Sequence, residues 1–256
     1  MSEDVADVYE LLTRELGAGK VLRGPEALEN YSKDESGLGV FPPDAAVLCA
    51  SRGEIELVLR VAAEHKIPVT PRGAGSGMTG GALPVRGGIV LSTEGMKKIL
   101  DVDVDDRIAV VEPGVINADL QAAVEAEGMF YAPDPASLGF CSMGGNVAEN
   151  AGGPRAFKYG VTRDWTLGMT VTLMGGETLR LGKRTTKGVT GYDLTALFVG
   201  SEGTFGVTSE ITVRLVGKPQ GVGTFIAVDV TTQVQTALAG GTAGFAIVPQ
   251  DATVVA

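Results

Sequence analysis

The residue types best suited to chemistry in this chain are backbone groups, gathered in glycine-rich loops. PRGAGSGMTGG at 71–81 places Gly73, Gly75, Gly77, Gly80 and Gly81 directly after a predicted strand. Without Cβ atoms, successive amides of such a loop can converge on a pyrophosphate. No Gly-Lys-Ser/Thr follows, so it is not a Walker A loop, and no helix is predicted to open at its end, so it is not a dinucleotide fingerprint. Alone it would fit an ordinary glycine-rich surface turn equally well. Further loops accompany it. CSMGGNVAENAGGPRAFKYG at 141–160 pairs Gly144 with Gly145 and Gly152 with Gly153, and small residues there let a flat ring system lie against backbone. YAPDPAS at 131–137 adds Pro133 and Pro135, which stiffen a loop, with Asp134 and Ser137 as hydrogen-bonding groups. GYDLTALFVGSEGTFGVTSEITVRL at 191–215 contributes Gly200, Gly203 and Gly206 ahead of a strand. Separated small-residue loops of this kind imply one large, extended ligand.

Side chains able to transfer protons are scarce. The single histidine, His65, stands in AAEHKIP near the end of a predicted helix, where it suits the helix dipole better than catalysis. Arg72 either steadies a phosphate or is an exposed arginine beside a turn. Lys183, Arg184 and Lys187 read as a solvated loop, and Trp165 as core. Cys49 and Cys141 are far apart with no C-x-x-C spacing, so neither a metal knuckle nor a redox pair is expected, only two reduced thiols.

The elements that must hold these loops follow from periodicity and punctuation. Val5, Val8, Leu12 and Leu16 make one face of an N-terminal helix that stops at Gly17. AAVLCA at 45–50 is a buried strand. Ser51 with Glu54 then forms a capping box for a helix carrying Ile55, Val58, Leu59 and Ala62, ended by Pro68. A short strand at Val69 and Thr70 runs into the glycine loop. Two more strands are predicted within 87–96 and 107–115, followed by a helix capped by Asn117 and closed at Gly128. A hairpin at 171–182 turns on Gly175 and Gly176, and 204–216 is a last strand. The expected class is α+β, with two small sandwiched lobes instead of one doubly wound sheet.

Composition narrows the function. The net charge of −10 argues against a surface that coats nucleic acid. It leaves a phosphate-bearing cofactor open, because amides bind phosphate without formal charge. The 37 glycines are about twice the ~7% share of ordinary chains, consistent with many positions committed to tight turns or close approach. The acidic N-terminus lacks a signal-peptide pattern and no apolar run approaches ~18 residues, so a cytoplasmic protein without direct membrane insertion is expected. From Pro219 onward only Asp229 and Asp251 are charged while Gly, Ala, Thr and Val dominate, which reads as the stub of a second domain.

PRGAGSGMTGGALP, YAPDPAS, GGNVAENAGGP, KYGV, GYDLTALFVGSEGTFGV and EITVRL, in this order, resemble the flavin domain of the glycolate oxidase flavin subunit and D-lactate dehydrogenase family. The resemblance spans roughly residues 20–220. It implies a two-lobed FAD-binding PCMH-type domain like that of vanillyl-alcohol oxidase at 45–218, after an N-terminal helical segment at 1–44. The cap domain is then missing, with 219–256 as its remnant. It implies that Pro71, Arg72, Gly73, Ala74, Gly75, Ser76, Gly77 and Met78 cradle the FAD pyrophosphate. By the same resemblance, Pro133, Asp134, Ser137, Met143, Gly144, Gly145, Asn146, Ala148, Asn150, Gly152 and Gly153 meet pyrophosphate, ribityl chain and flavin. Glu202, Gly203, Gly206 and Val207 then lie near the adenine. Covalently flavinylated relatives of the wider fold carry a histidine where this chain has Ser76, which implies noncovalent FAD.

A 2-hydroxy acid oxidoreductase needs a base for the hydroxyl proton and a clamp for the carboxylate. In the resembled family those groups lie in the cap, so no catalytic residue is assigned here. The expectation is therefore an FAD-binding component acting on a small 2-hydroxy acid, completed by a cap-bearing or iron-sulfur partner subunit. The competing expectation is a noncatalytic flavin-binding module or remnant. A reductase of enolpyruvyl sugar nucleotides is a third reading within the same fold, less well matched by KYGV and GYDLTALFVGSEG.

Overall fold

The computed structural model describes residues 3–221 together with 223–224 and 254–255. The expected domain remnant at 219–256 therefore lies almost wholly outside the described residues.

Two sheets form, each with its own core. The first is ordered β1-β2-β4-β3, from Val21–Leu22 (β1), Ala45–Leu48 (β2), Val69–Arg72 (β3) and Ile89–Ser92 (β4). β2, β4 and β3 run parallel, while β1 is antiparallel to β2. Parallel strands need a crossover, supplied between β2 and β3, which flank β4, by helix α3 (Arg52–Glu64), whose Ile55, Val58, Leu59 and Ala62 are buried as their helical spacing requires. α3 starts on Ser51, whose side chain accepts from Glu54 N at 3.4 Å; the Glu54 carboxylate reaches back to Ala50 N instead of Ser51 N. Helix α1 (Glu3–Leu16) sets the buried Val8, Tyr9 and Leu12 into the same core, so the N-terminal segment and this sheet share one interior. Glu26 belongs to a short turn of helix, α2 (Pro25–Leu28).

The second sheet is antiparallel and ordered β5-β6-β10-β8-β9. Its members are Ile99–Asp103 (β5), Ile108–Val111 (β6), Thr166–Thr172 (β8), Thr178–Gly182 (β9) and Val207–Arg214 (β10). A separate two-strand pair joins Met129–Phe130 (β7) to Val216–Gly217 (β11). Helix α4 (Asn117–Ala126) places Leu120 and Val124 against Val111, Val171, Ile211 and Val213. Trp165 lies in this core at 1% exposure, edge-on to Tyr131 at 5.7 Å, as expected of a core residue. The β8–β9 turn rests on α3, where Thr178 Oγ1 donates to Glu56 Oε1 at 2.8 Å and ties the lobes together.

Three local expectations change. Asn117 does not cap α4: Ile116 occupies the cap position, and buried Asn117 instead donates Nδ2 to Pro133 O at 2.9 Å. The glycine-rich stretch after Cys141 contains a helix, α5 (Met143–Glu149). β5 lies outside the strands expected from the sequence; it pairs with β6, and its Leu100, Asp101, Val102 and Asp103 alternate apolar and acidic residues. Short helices Ala156–Tyr159 (α6), Thr162–Trp165 (α7) and Leu194–Phe198 (α8) complete the second lobe.

Candidate functional site

The glycine loop leaves β3 and faces α5 across an open cleft. From the first lobe, Pro71, Arg72, Gly73, Ala74, Gly75, Ser76 and Gly77 line it; from the second come Ser137, Gly144, Gly145, Asn146 and Ala148. Glu202, Gly203, Gly206 and Val207, at the approach to β10, close one end.

Ser142, the N-cap of α5, fixes how the two walls meet. Its Oγ accepts from Gly145 N at 3.3 Å, as an N-cap should, and from Ala74 N at 3.3 Å across the cleft floor. A Cβ on Gly73 would strike that same oxygen, so close approach requires glycine there. Gly75 has φ +70°, and a Cβ on it would run into the Arg72 guanidinium. The first amides of α5 are already engaged: Met143 N donates to Val115 O at 2.8 Å and Gly144 N to Pro113 O at 2.7 Å. The loop is different. Among the described residues the amides of Gly75, Ser76 and Gly77 meet no acceptor, although all three residues line the cleft. In the opposite wall Asn146 is 3% exposed and its Nδ2 has no partner among the described residues. Unengaged donors on two small-residue walls fit a ligand rich in acceptors, such as a diphosphate joined to a flat polar ring. The residues present thus fit FAD.

Three ionisable side chains border the cleft. The half-buried Arg72 has its pKa drawn below the usual arginine value by burial, with Asp34, Tyr31 and Glu94 acting the other way. Glu149 is raised, first by burial and then by Glu202 and Asp34, while Thr79 opposes the shift through a 2.9 Å hydrogen bond to Oε2. Glu202 adopts a left-handed backbone, φ +53°, and its amide donates to Ala148 O at 2.9 Å, pinning the segment before β10 onto α5.

Other residues expected at the site lie outside the cleft lining. Met78 is 78% exposed, whereas Met143 is fully buried in the second core. Pro133 O accepts from Asn117 and Gln121, and the Asp134 Oδ1 accepts from Arg155 N at 2.9 Å, holding the Pro-rich loop rigid. Burial raises the Asp134 pKa, with Arg155 opposing. Asn150 takes the left-handed C-cap of α5 and accepts from Arg163 N at 2.9 Å, and Gly152 and Gly153 lead from there into a turn at 154–155. Conversely Thr93, Pro113, Val147, Glu149, Phe198 and Thr208 line the cleft without having been foreseen. Ser142 is of a cap-forming type, but the Gly144–Gly145 pair that follows it conceals the helix it starts.

The two lobes, the glycine loop and the cleft between them define a flavin-binding domain. The family described as FAD binding domain matches residues 43–182, and the chain belongs to it. Among curated proteins it is 44% identical over 211 residues to the glycolate oxidase subunit GlcD of Bacillus subtilis (strain 168), covering 80% of this chain and 45% of that one. It is 41% identical over 210 residues to the D-lactate dehydrogenase of Anaerostipes hadrus, covering 82% and 44%. The chain thus spans less than half the length of these relatives. Among solved structures, p-cresol methylhydroxylase with substrate bound superposes with a TM-score of 0.76 at 23% identity, covering 86% of this chain and 45% of that one, a likeness of fold.

Proposed function

We propose that this chain is the FAD-holding part of an oxidoreductase that converts small 2-hydroxy acids to 2-oxo acids. The observation that carries the reading is the set of unengaged amides at Gly75, Ser76 and Gly77 facing the small-residue wall of α5. Similarity to a glycolate oxidase subunit and a D-lactate dehydrogenase supports the substrate class. The loop amides hold the diphosphate, Gly144, Gly145, Asn146 and Ala148 border the ribityl chain and ring, and Glu202, Gly203, Gly206 and Val207 border the adenine end. Bound there, FAD supplies the acceptor for the hydride leaving the hydroxyl-bearing carbon. The substrate base and carboxylate clamp are assigned to a cap corresponding to the remaining length of the relatives, or to a partner subunit, iron-sulfur or cap-bearing. Serine at position 76 supports noncovalent attachment. No helix among the described residues is long and apolar enough to cross a membrane, which accords with a cytoplasmic location.

The test is purification followed by an absorption spectrum before and after acid precipitation. Flavin bands that move into the supernatant, identified as FAD, are expected. A folded, colourless protein that FAD cannot reconstitute would overturn the reading.

A further inference from the structure

Arg72, which the sequence offers either as a phosphate contact or as an arginine beside a turn, lines the cleft and also reaches away from it to residues outside the lining. It is the last residue of β3, and its Nη1 donates to Lys33 O at 2.9 Å. Its guanidinium carbon stands 5.8 Å from the centroid of the buried Tyr31 ring. The Tyr31 hydroxyl in turn donates to Glu94 Oε1 at 2.6 Å, just past β4, and Thr93 N donates to Arg72 O at 3.0 Å. Two chain segments remote in sequence, 31–33 and 93–94, therefore meet around Arg72, the first of them on its guanidinium. The guanidinium also occupies the space where Gly75 would carry a Cβ, inside the turn that aims the free amides. A planar fork that bonds a carbonyl while stacking on a ring is a task for which lysine does not substitute.

We propose that Arg72 is a positioning residue: held from below by the Lys33 carbonyl and the Tyr31 ring, it fills the glycine turn and sets the convergence of the Gly75, Ser76 and Gly77 amides. The assignment deepens the FAD reading above and rests on it. It gives the N-terminal segment, whose Tyr31 and Lys33 stand outside the cleft lining, a part in cofactor affinity.

The experiment compares wild type with Arg72→Lys, Tyr31→Phe, Tyr31→Leu and the double variant Arg72→Lys/Tyr31→Leu. FAD affinity is titrated on apoprotein by flavin fluorescence, and hydrogen exchange of 73–78 is followed in the apoprotein without FAD. Arg72→Lys should weaken FAD at least ~10-fold and speed exchange of the loop, with α3 unchanged, because the charge is kept but the fork is lost. Tyr31→Phe should retain most affinity and Tyr31→Leu should not. The double variant should be no weaker than the worse single one, as for residues acting as a unit. Retained affinity with unchanged loop exchange in Arg72→Lys would identify a simple charge contact and overturn the proposal, as would losses that add. Failure of wild type to bind FAD would instead remove the cofactor reading, and the apoprotein exchange would still decide whether Arg72 holds the loop.

Discussion

At Gly75 two constraints coincide, a left-handed φ of +70° and a guanidinium where a Cβ would stand. Gly75→Ala is therefore expected to lose most FAD affinity in a fluorescence titration, because relieving the clash displaces either the turn or Arg72. Gly53→Ala is the matching control: it lies in α3 with open space around it and an ordinary φ, and removing a helix glycine should leave binding intact and raise stability by up to ~1 kcal/mol. A second residue-scale prediction concerns Cys49, wholly buried after β2, whose thiol is pushed up to about 12 by burial, with Glu54 adding and Lys20 opposing. The native state holds this proton longer than the unfolded chain, so stability is full below the ordinary value of 9.0 and is lost as pH rises towards 12. The slope is about 1.4 kcal/mol per pH unit within that window. Denaturant melts between pH 9 and 10, below the range where buried tyrosines dominate, should fall steeply in wild type and more shallowly in Cys49→Ala. Equal slopes would show that the thiol is not the titrating group. At this scale the glycines were readable because their abundance has few other causes. The part played by Ser142 was not, since it depends on Ala74, 68 residues away in sequence.

Helix α5 is the element on which the site turns. It was hidden because Gly144 and Gly145 lower helix propensity in the first turn, and its start is set instead by the Ser142 cap and by bonds to Val115 and Pro113. α3 was legible from the same kind of cap, because Ser51 precedes an amphipathic run that announces itself. The pair offers a test. Ser51→Ala and Ser142→Ala should each lower stability by about 1 kcal/mol through loss of an N-cap. Only Ser142→Ala should also weaken FAD, since its hydroxyl additionally holds Ala74. Matched losses of stability with unchanged FAD affinity in both variants would reduce Ser142 to an ordinary cap. Asn117 illustrates the opposite error: its residue type suits a cap, but the core claims its amide to bind the Pro133 carbonyl and stiffen the loop after β7. β5 escaped notice although the alternation of Leu100, Asp101, Val102 and Asp103 is the pattern of a strand with one face to solvent, here at the edge of the sheet.

For the molecule as a whole, the two-lobed plan was readable from the change of strand and helix spacing along the chain, whereas the way the lobes meet depends on long-range contacts such as Glu56 with Thr178. That meeting forms a cleft whose described ionisable lining consists of Arg72, Glu149 and Glu202. None is suited to both duties of hydroxy-acid oxidation. Arg72 is committed to the Lys33 carbonyl, and two neighbouring carboxylates repel a substrate carboxylate where a clamp should attract it. His65 is at the C-cap of α3 and does not line the cleft. The expectation is that this 256-residue chain binds FAD yet is reduced only slowly by glycolate or D-lactate. An acceptor without positioned substrate forgoes a proximity contribution of roughly 7–11 kcal/mol. With no positioned general base among the described residues, a further ~10²- to 10⁴-fold would be forgone. Anaerobic mixing with excess 2-hydroxy acid, followed through the oxidised flavin band, measures this directly. Slow bleaching that accelerates on adding a cap-bearing partner would place proton abstraction and carboxylate binding there. Rapid bleaching by this chain alone would mean that its own side chains complete the active site, and would direct attention to Glu149 as the base, because burial raises its pKa and so its basicity.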